Sequence, residues 1–345
     1  MGGQMLPPFG WREVVTQWAF APVVTGLVVI SAVLYLEGAW RVARRHPARP
    51  WPWWRTGMFL AGLAVIVLAT ESGVGAYSDV LFWDHMIQHL LLIMVAPALL
   101  VAGAPLTLLL HASRNPLHTR AKRALRSRAV GALTSPPFGI IAYTAAVVGT
   151  HLNGVMSRVM TNGALHDGER ALYLVVGCLF FLPLLGREPV RWRLSYPVRL
   201  LVLFLTMPVD TFAGLMLTYS AAPMAGMGPR PSWAPGGLSD LHAGGAVMWV
   251  GGDGIMFVLM MLVFLAWARD GRAQGLRRGG WLESARQASF AALTGSGGAA
   301  AAAPGGTGPA AASDATIDDD EHLAAYNDFL ARINAAEKQR GEGQR

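Results

Sequence analysis

The histidines are the residues best equipped for chemistry in this chain, and their spacing is informative. Phe82-Trp83-Asp84-His85-Met86-Ile87-Gln88-His89 sets two imidazoles four residues apart, so a helix would project both from one face, a turn apart. At 100° per residue, Asp84, His85, Gln88 and His89 fall within ~140° of arc. Two imidazoles so related can share a metal ion or line one cavity. His151 lies near the end of a second apolar stretch, and His166 with Glu169 opens a third. Asp240 and His242 open a fourth, in which His242, Trp249 and Asp253 align within ~60° on a helical wheel. Asp210 sits beside Pro208 at middle depth in an apolar stretch of its own. Met224 and Met227, three apart, add thioethers, and thioether with imidazole suits copper, Cu(I) above all. The candidate metal ligands are therefore His85, His89, His151, His166, His242, Met224 and Met227. Asp84 and Glu169 would orient imidazoles, and Gln88, Asp210, Asp240, Trp249 and Asp253 would complete a polar core. The plainer reading has neutral histidines hydrogen-bonded to Asp84, Glu169 or backbone, holding helices together.

The elements that must position these groups are apolar. Of 345 residues, 53% are hydrophobic and only 14% charged, against about 25% charged in a soluble domain. Seven apolar stretches stand out, at roughly 20–40, 54–70, 81–104, 137–157, 168–185, 198–219 and 243–267. A helix needs about 20 apolar residues to cross a ~30 Å hydrocarbon layer. The basic residues alternate between the connections. Arg41, Arg44, Arg45, Arg49 and Arg55 fill one loop, Arg114, Arg120, Lys122, Arg123, Arg126 and Arg128 another, and Arg187, Arg191, Arg193 and Arg199 a third. The intervening loops hold few or none. By the positive-inside rule this predicts an all-α polytopic membrane protein with seven transmembrane helices, N-terminus out and C-terminus in. On that map His85, His89, His151, His166 and His242 all lie on the outer side, whereas His46, His111, His118 and His322 are cytoplasmic. An ionisable group within a span is costly and marks function by default. Five histidines on one side therefore favour a polar site open to the extracytoplasmic face, with Asp210 and Asp253 beneath it.

Composition removes other classes. Cys178 is the one cysteine, so a disulfide framework, a zinc ribbon and a Cys-x-x-Cys redox pair are excluded. Lys122 and Lys338 are the only lysines among 28 basic residues, and neither lies in a span, so a retinal Schiff base is excluded. The formal charge of +7 resides in the loops and reflects topology and anionic-lipid contact, with no nucleic-acid partner. Arg12 and Glu13 precede a full-length first span, so no cleavable signal peptide is expected. The expected organisation is an extracytoplasmic segment 1–17, a seven-helix membrane domain 18–270, a flexible low-complexity linker 271–316 and an acidic amphipathic cytoplasmic helix 317–345.

A series of ordered motifs resembles the multi-span cytochrome c oxidase assembly factors called the CtaG family. They are His85-Met86-Ile87-Gln88-His89-Leu90-Leu91-Leu92 running into Ala96-Pro97 and Gly103-Ala104-Pro105; Leu165-His166-x-x-Glu169 leading to Phe180-Phe181-x-Pro183; Pro208-Val209-Asp210; and Asp240-Leu241-His242-Ala243-Gly244-Gly245-Ala246-Val247-Met248-Trp249. Together they cover about 80–255. Where the family often carries a histidine after the glutamate, this chain has Arg170. The resemblance implies a multi-pass protein of the bacterial plasma membrane, without enzymatic activity, that helps mature haem–copper oxidases. Its partners would be cytochrome c oxidase subunits and the lipid bilayer, with copper as the metal handled. Two alternatives remain from the residues themselves: a haem-binding membrane oxidoreductase with bis-histidine ligation, and a copper transporter using Asp210 and Asp253. A scaffold without metal is a further one.

Overall fold

A computed structural model describes residues 6–48, 50–151, 154–185, 188–223 and 230–272. Among the described residues, six helices are long and apolar enough to cross a membrane: span 1, Pro22–Arg45; span 2, Trp53–Tyr77; span 3, Phe82–Ala112; span 5, Gly163–Leu185; span 6, Tyr196–Thr218; and span 7, Gly237–Arg272. Span 4 is a bent pair, Pro136–His151 followed by Val155–Thr161 at 72°, with Gly154 in the left-handed region (φ 67°) at the bend. Counted as one crossing, the pair brings the total to seven, and the helices coincide with the seven apolar stretches one for one. Among the described residues there is no strand. Span 7 is described as far as Arg272. The rest of the expected linker and the whole acidic helix 317–345 lie outside the described residues.

The packing suits a solvent of hydrocarbon. Span 1 turns Val23, Leu27, Ile30, Val33 and Leu34 outward, and spans 6 and 7 expose Phe204, Phe212, Phe257 and Leu262. In water such faces would aggregate; in a bilayer they need no cover, because lipid tails are as apolar as the faces themselves. Span 3 runs through the centre, packed against spans 2, 5 and 7. Two close approaches set its position. A Cβ on Gly177 of span 5 would lie 2.2 Å from the Ile93 carbonyl oxygen and 2.6 Å from Pro97, so only glycine lets these backbones meet. Gly214 and Gly245 do the same for spans 6 and 7, each blocking a Cβ on the other with its carbonyl oxygen.

Two π-helical turns interrupt the regular ladder, Leu91–Val95 in span 3 and Val247–Gly251 in span 7. Such turns insert an extra residue and change which face the following residues present; they recur at functional sites. The first begins two residues after His89.

At the end of the molecule carrying the basic loops, span 3 breaks at Ala104 (φ 55°) and restarts at Pro105. The restart is capped from a distance. Glu188 accepts from the Leu106 and Thr107 backbone amides at 3.0 and 2.9 Å and from the Thr107 hydroxyl at 2.8 Å. A carboxylate there complements the helix dipole and satisfies donors that have no partner within the helix, although burial pushes the Glu188 carboxyl above the usual glutamate range. Glu188→Ala should lower unfolding stability by about 1–3 kcal/mol, the cost of orphaning buried donors. Glu188→Gln, which still accepts, should lose less. Thermal unfolding in detergent distinguishes the two variants.

Candidate metal centre

The first turns of span 3 carry His85 and His89, and a neighbouring helix holds the start of that span. Asp240, in the first turn of span 7, accepts from the Phe82 amide at 2.9 Å and the Trp83 amide at 3.2 Å, and pairs with Arg230 at 2.9 Å. The amide donors at the start of the span thus end on a buried carboxylate. From there the i, i+4 spacing brings the His85 and His89 rings to 4.2 Å between centroids.

Glu169 comes in from span 5. Its Oε2 lies 3.2 Å from His89 Nε2 and 3.6 Å from His85 Nε2, and all three residues are buried. Ligand atoms about 2.0–2.1 Å from a tetrahedral ion are about 3.3 Å apart; the two contacts of Glu169 bracket that value, and the ligand atoms of all three residues lie within 4.8 Å of one another. Neither contact is angled as a hydrogen bond: both ring nitrogens of His85, both of His89 and both oxygens of Glu169 are buried without a hydrogen-bond partner. Buried polar atoms left this way cost free energy, and one ligand atom from each of the three residues lies within 4.8 Å of the others, as in a site made for a ligand.

The surroundings divide the remaining histidines. His151 Nδ1 donates to the Val147 carbonyl at 2.8 Å, which leaves the Nε2 lone pair bare and buried, with the ring 5.3 Å from that of His89. A backbone-anchored Nδ1–H is the usual way to fix a ligating tautomer. The Tyr173 ring packs 4.4 Å from His89, and its hydroxyl shares a 2.5 Å hydrogen bond with Thr150. His166 differs. Its Nδ1 lies 3.1 Å from Asp79 Oδ1 and its Nε2 3.3 Å from Gln88 Oε1, so both nitrogens face acceptors. The Gln88 amide is oriented by donation from Nε2 to the Ala69 carbonyl at 2.5 Å, and its Oε1 also accepts from Arg170 at 3.2 Å. The hydrogen bond from His166 holds the Asp79 carboxyl below the usual carboxylate range, against desolvation.

With this geometry established, comparison with known proteins is decisive. The family model for the cytochrome c oxidase caa3 assembly factor, Caa3_CtaG, matches residues 33–270. The chain belongs to this family. The match contains every described group of the centre. Similar curated proteins are uncharacterized ones from Mycobacterium bovis and Mycobacterium tuberculosis, each 28% identical over 282 residues, and one from Mycobacterium leprae, 26% identical over 272. The alignments cover 79%, 79% and 76% of this chain, but the chain spans only 42%, 42% and 41% of those proteins. No solved structure matches it.

Against the residues singled out from sequence, this member of the assembly-factor family brings His85, His89 and Glu169 together, with His151 and His166 flanking them. Glu169 faces both imidazoles directly. His242 is turned away, its Nε2 2.9 Å from the Ser220 carbonyl. Trp249 serves packing, its backbone nitrogen and Cβ pressed against Gly214. Asp84 is wholly buried with no hydrogen-bond partner for either oxygen. The deeper carboxylates each meet a hydroxyl, Asp210 that of Tyr143 at 2.8 Å and Asp253 that of Thr211 at 2.7 Å. Met224 and Met227 lie outside the described residues. Asp79 was not apparent from sequence: it is a lone loop acid with no periodicity to flag it, and only the fold sets it on His166.

Proposed function

We propose that the chain is a non-enzymatic assembly factor of the bacterial plasma membrane that holds copper, as cargo, on its way to cytochrome c oxidase subunits. The observation that carries the reading is the convergence of His85 Nε2, His89 Nε2 and Glu169 Oε2, each buried and without a hydrogen-bond partner. Two imidazoles and a carboxylate suit borderline divalent ions, and Cu(II) heads the affinity order for such donors. His151 offers a further bare nitrogen, Nε2, on a ring 5.3 Å from that of His89, and the thioethers of Met224 and Met227 would add affinity for Cu(I). The positive-inside pattern supports an extracytoplasmic position for the site, where an oxidase would receive copper.

The alternatives have less support. The Tyr173 ring against His89 and the Phe82 ring 6.2 Å from His85 occupy space that a haem macrocycle would need. Asp210 and Asp253 each satisfy a hydroxyl from a neighbouring residue, as helix-packing groups do. The test is a metal titration of the purified full chain. A single copper ion per chain is expected, with Cu(II) displacing Zn(II). The ion should be released in acid, because protons compete for the imidazoles. A chain that retains no copper, or one that shows a Soret band, would overturn the proposal.

A further inference from the structure

His85 is wholly buried and Glu169 nearly so, so an ion that reaches them must pass through something. At the histidine end of the bundle the way in is a ladder of ligand-type groups. Asp79 stands in the turn between spans 2 and 3, its side chain 68% exposed, with Oδ1 3.1 Å from His166 Nδ1. The His166 ring lies 5.0 Å from the His85 ring, and the His85 ring 4.2 Å from that of His89. Each rung is an oxygen or nitrogen donor, and the innermost carries bare nitrogens on both sides of its ring.

We propose that Asp79 and His166 form the capture step of the copper site: a carboxylate–imidazole pair that takes a divalent cation from water and passes it to His85. The inference rests on the reading of His85, His89 and Glu169 as the metal centre. The 3.1 Å between Asp79 Oδ1 and His166 Nδ1 is close to the ~3.3 Å edge of two ligands on one tetrahedral ion. An ion seated there replaces the proton that bridges the pair, and that proton goes to water. No electron moves; one donor set exchanges for another. Gln88 keeps His166 in place through Nε2, and Arg170 keeps Gln88 in place while reaching Ser78 at 3.4 Å. His166 is thus held between the exposed carboxylate and the buried imidazole, and it can serve either without leaving its position on span 5.

Cu(II) added to the full chain in detergent and followed by quenching of tryptophan fluorescence separates capture from storage. Asp79→Asn should slow the bimolecular loading rate about tenfold, within the range that local electrostatics gives to on-rates, while final occupancy stays that of the wild type. Asp167→Asn provides the control, since Asp167 is equally exposed but faces Arg170; it should load at close to the wild-type rate. The proposal is overturned if Asp79→Asn loads as fast as the wild type, or if Asp167→Asn slows loading as much, which would reduce the effect to general surface charge. A wild-type chain that binds no Cu(II) would instead remove the metal centre itself, an outcome distinct from either.

Discussion

Replacing His85 and His89 together by alanine should abolish copper binding while leaving a folded protein. Each imidazole contributes one of three convergent donors, and even partners outside a metal's ligand set are typically worth 10–100-fold in affinity. Losing two ligands should therefore cost at least ~10²-fold. The stability readout separates metal holding from helix packing. If the histidines were packing groups satisfied by Glu169, their loss would strip hydrogen bonds and lower the unfolding midpoint. The structure gives them no hydrogen bonds to lose, so the metal-free double mutant should lose only the packing of the two truncated rings. Adding copper should raise the midpoint of the wild type alone, since a ligand that binds the native state stabilises it by mass action. Glu169→Gln refines the test. It keeps the shape and one oxygen but removes the negative charge, so it should weaken copper binding about 10–100-fold with little change in the metal-free midpoint. A Glu169→Gln protein that binds copper as tightly as the wild type would show that Glu169 is not a ligand.

How far this centre was legible in sequence depends on the dimension considered. Depth is one-dimensional, and apolar stretches with alternating basic loops report it well: the seven stretches coincide with the helices, and His85, His89, His151 and His166 do sit at one end of the bundle. Azimuth is set by packing and is not so reported. His242 shares the depth of the centre, yet Gly244 against Phe82 and Gly245 against Gly214 fix the rotation of span 7 so that His242 meets the Ser220 carbonyl. The wheel that aligned His242 with Trp249 and Asp253 assumed 100° per residue throughout. The π turn at Val247–Gly251 breaks that assumption between the first and the last, and Asp253 ends beside Thr211. Glu169 was visible as a flanking acid, but its direct approach to both imidazoles depends on Gly177 letting span 5 touch the backbone of span 3. A single-helix pattern contains no term for that contact.

Asp240→Ala should destabilise the protein by about 2–5 kcal/mol and weaken copper binding, although Asp240 touches none of the three convergent donors. The carboxylate is fully buried and serves three donors at once: the Phe82 and Trp83 amides and the Arg230 guanidinium. Arg230 is partly exposed and retains the Pro235 carbonyl at 2.8 Å, so water can replace much of what it loses. The two amides cannot recover so easily, and leaving each unsatisfied costs about 1–3 kcal/mol. Arg230→Ala should accordingly cost much less than Asp240→Ala, and Asp240→Asn, which keeps one acceptor, should fall between them. The order of the three variants in a detergent unfolding titration checks the assignment, and equal losses for Arg230→Ala and Asp240→Ala would make the ion pair the main contribution instead. The effect on copper follows from position. His85 lies one turn beyond the capped amides, and a first turn that frays no longer holds His85 and His89 against Glu169 at the spacing of one ion. Among the capping variants, the loss of copper affinity should therefore follow the loss of stability.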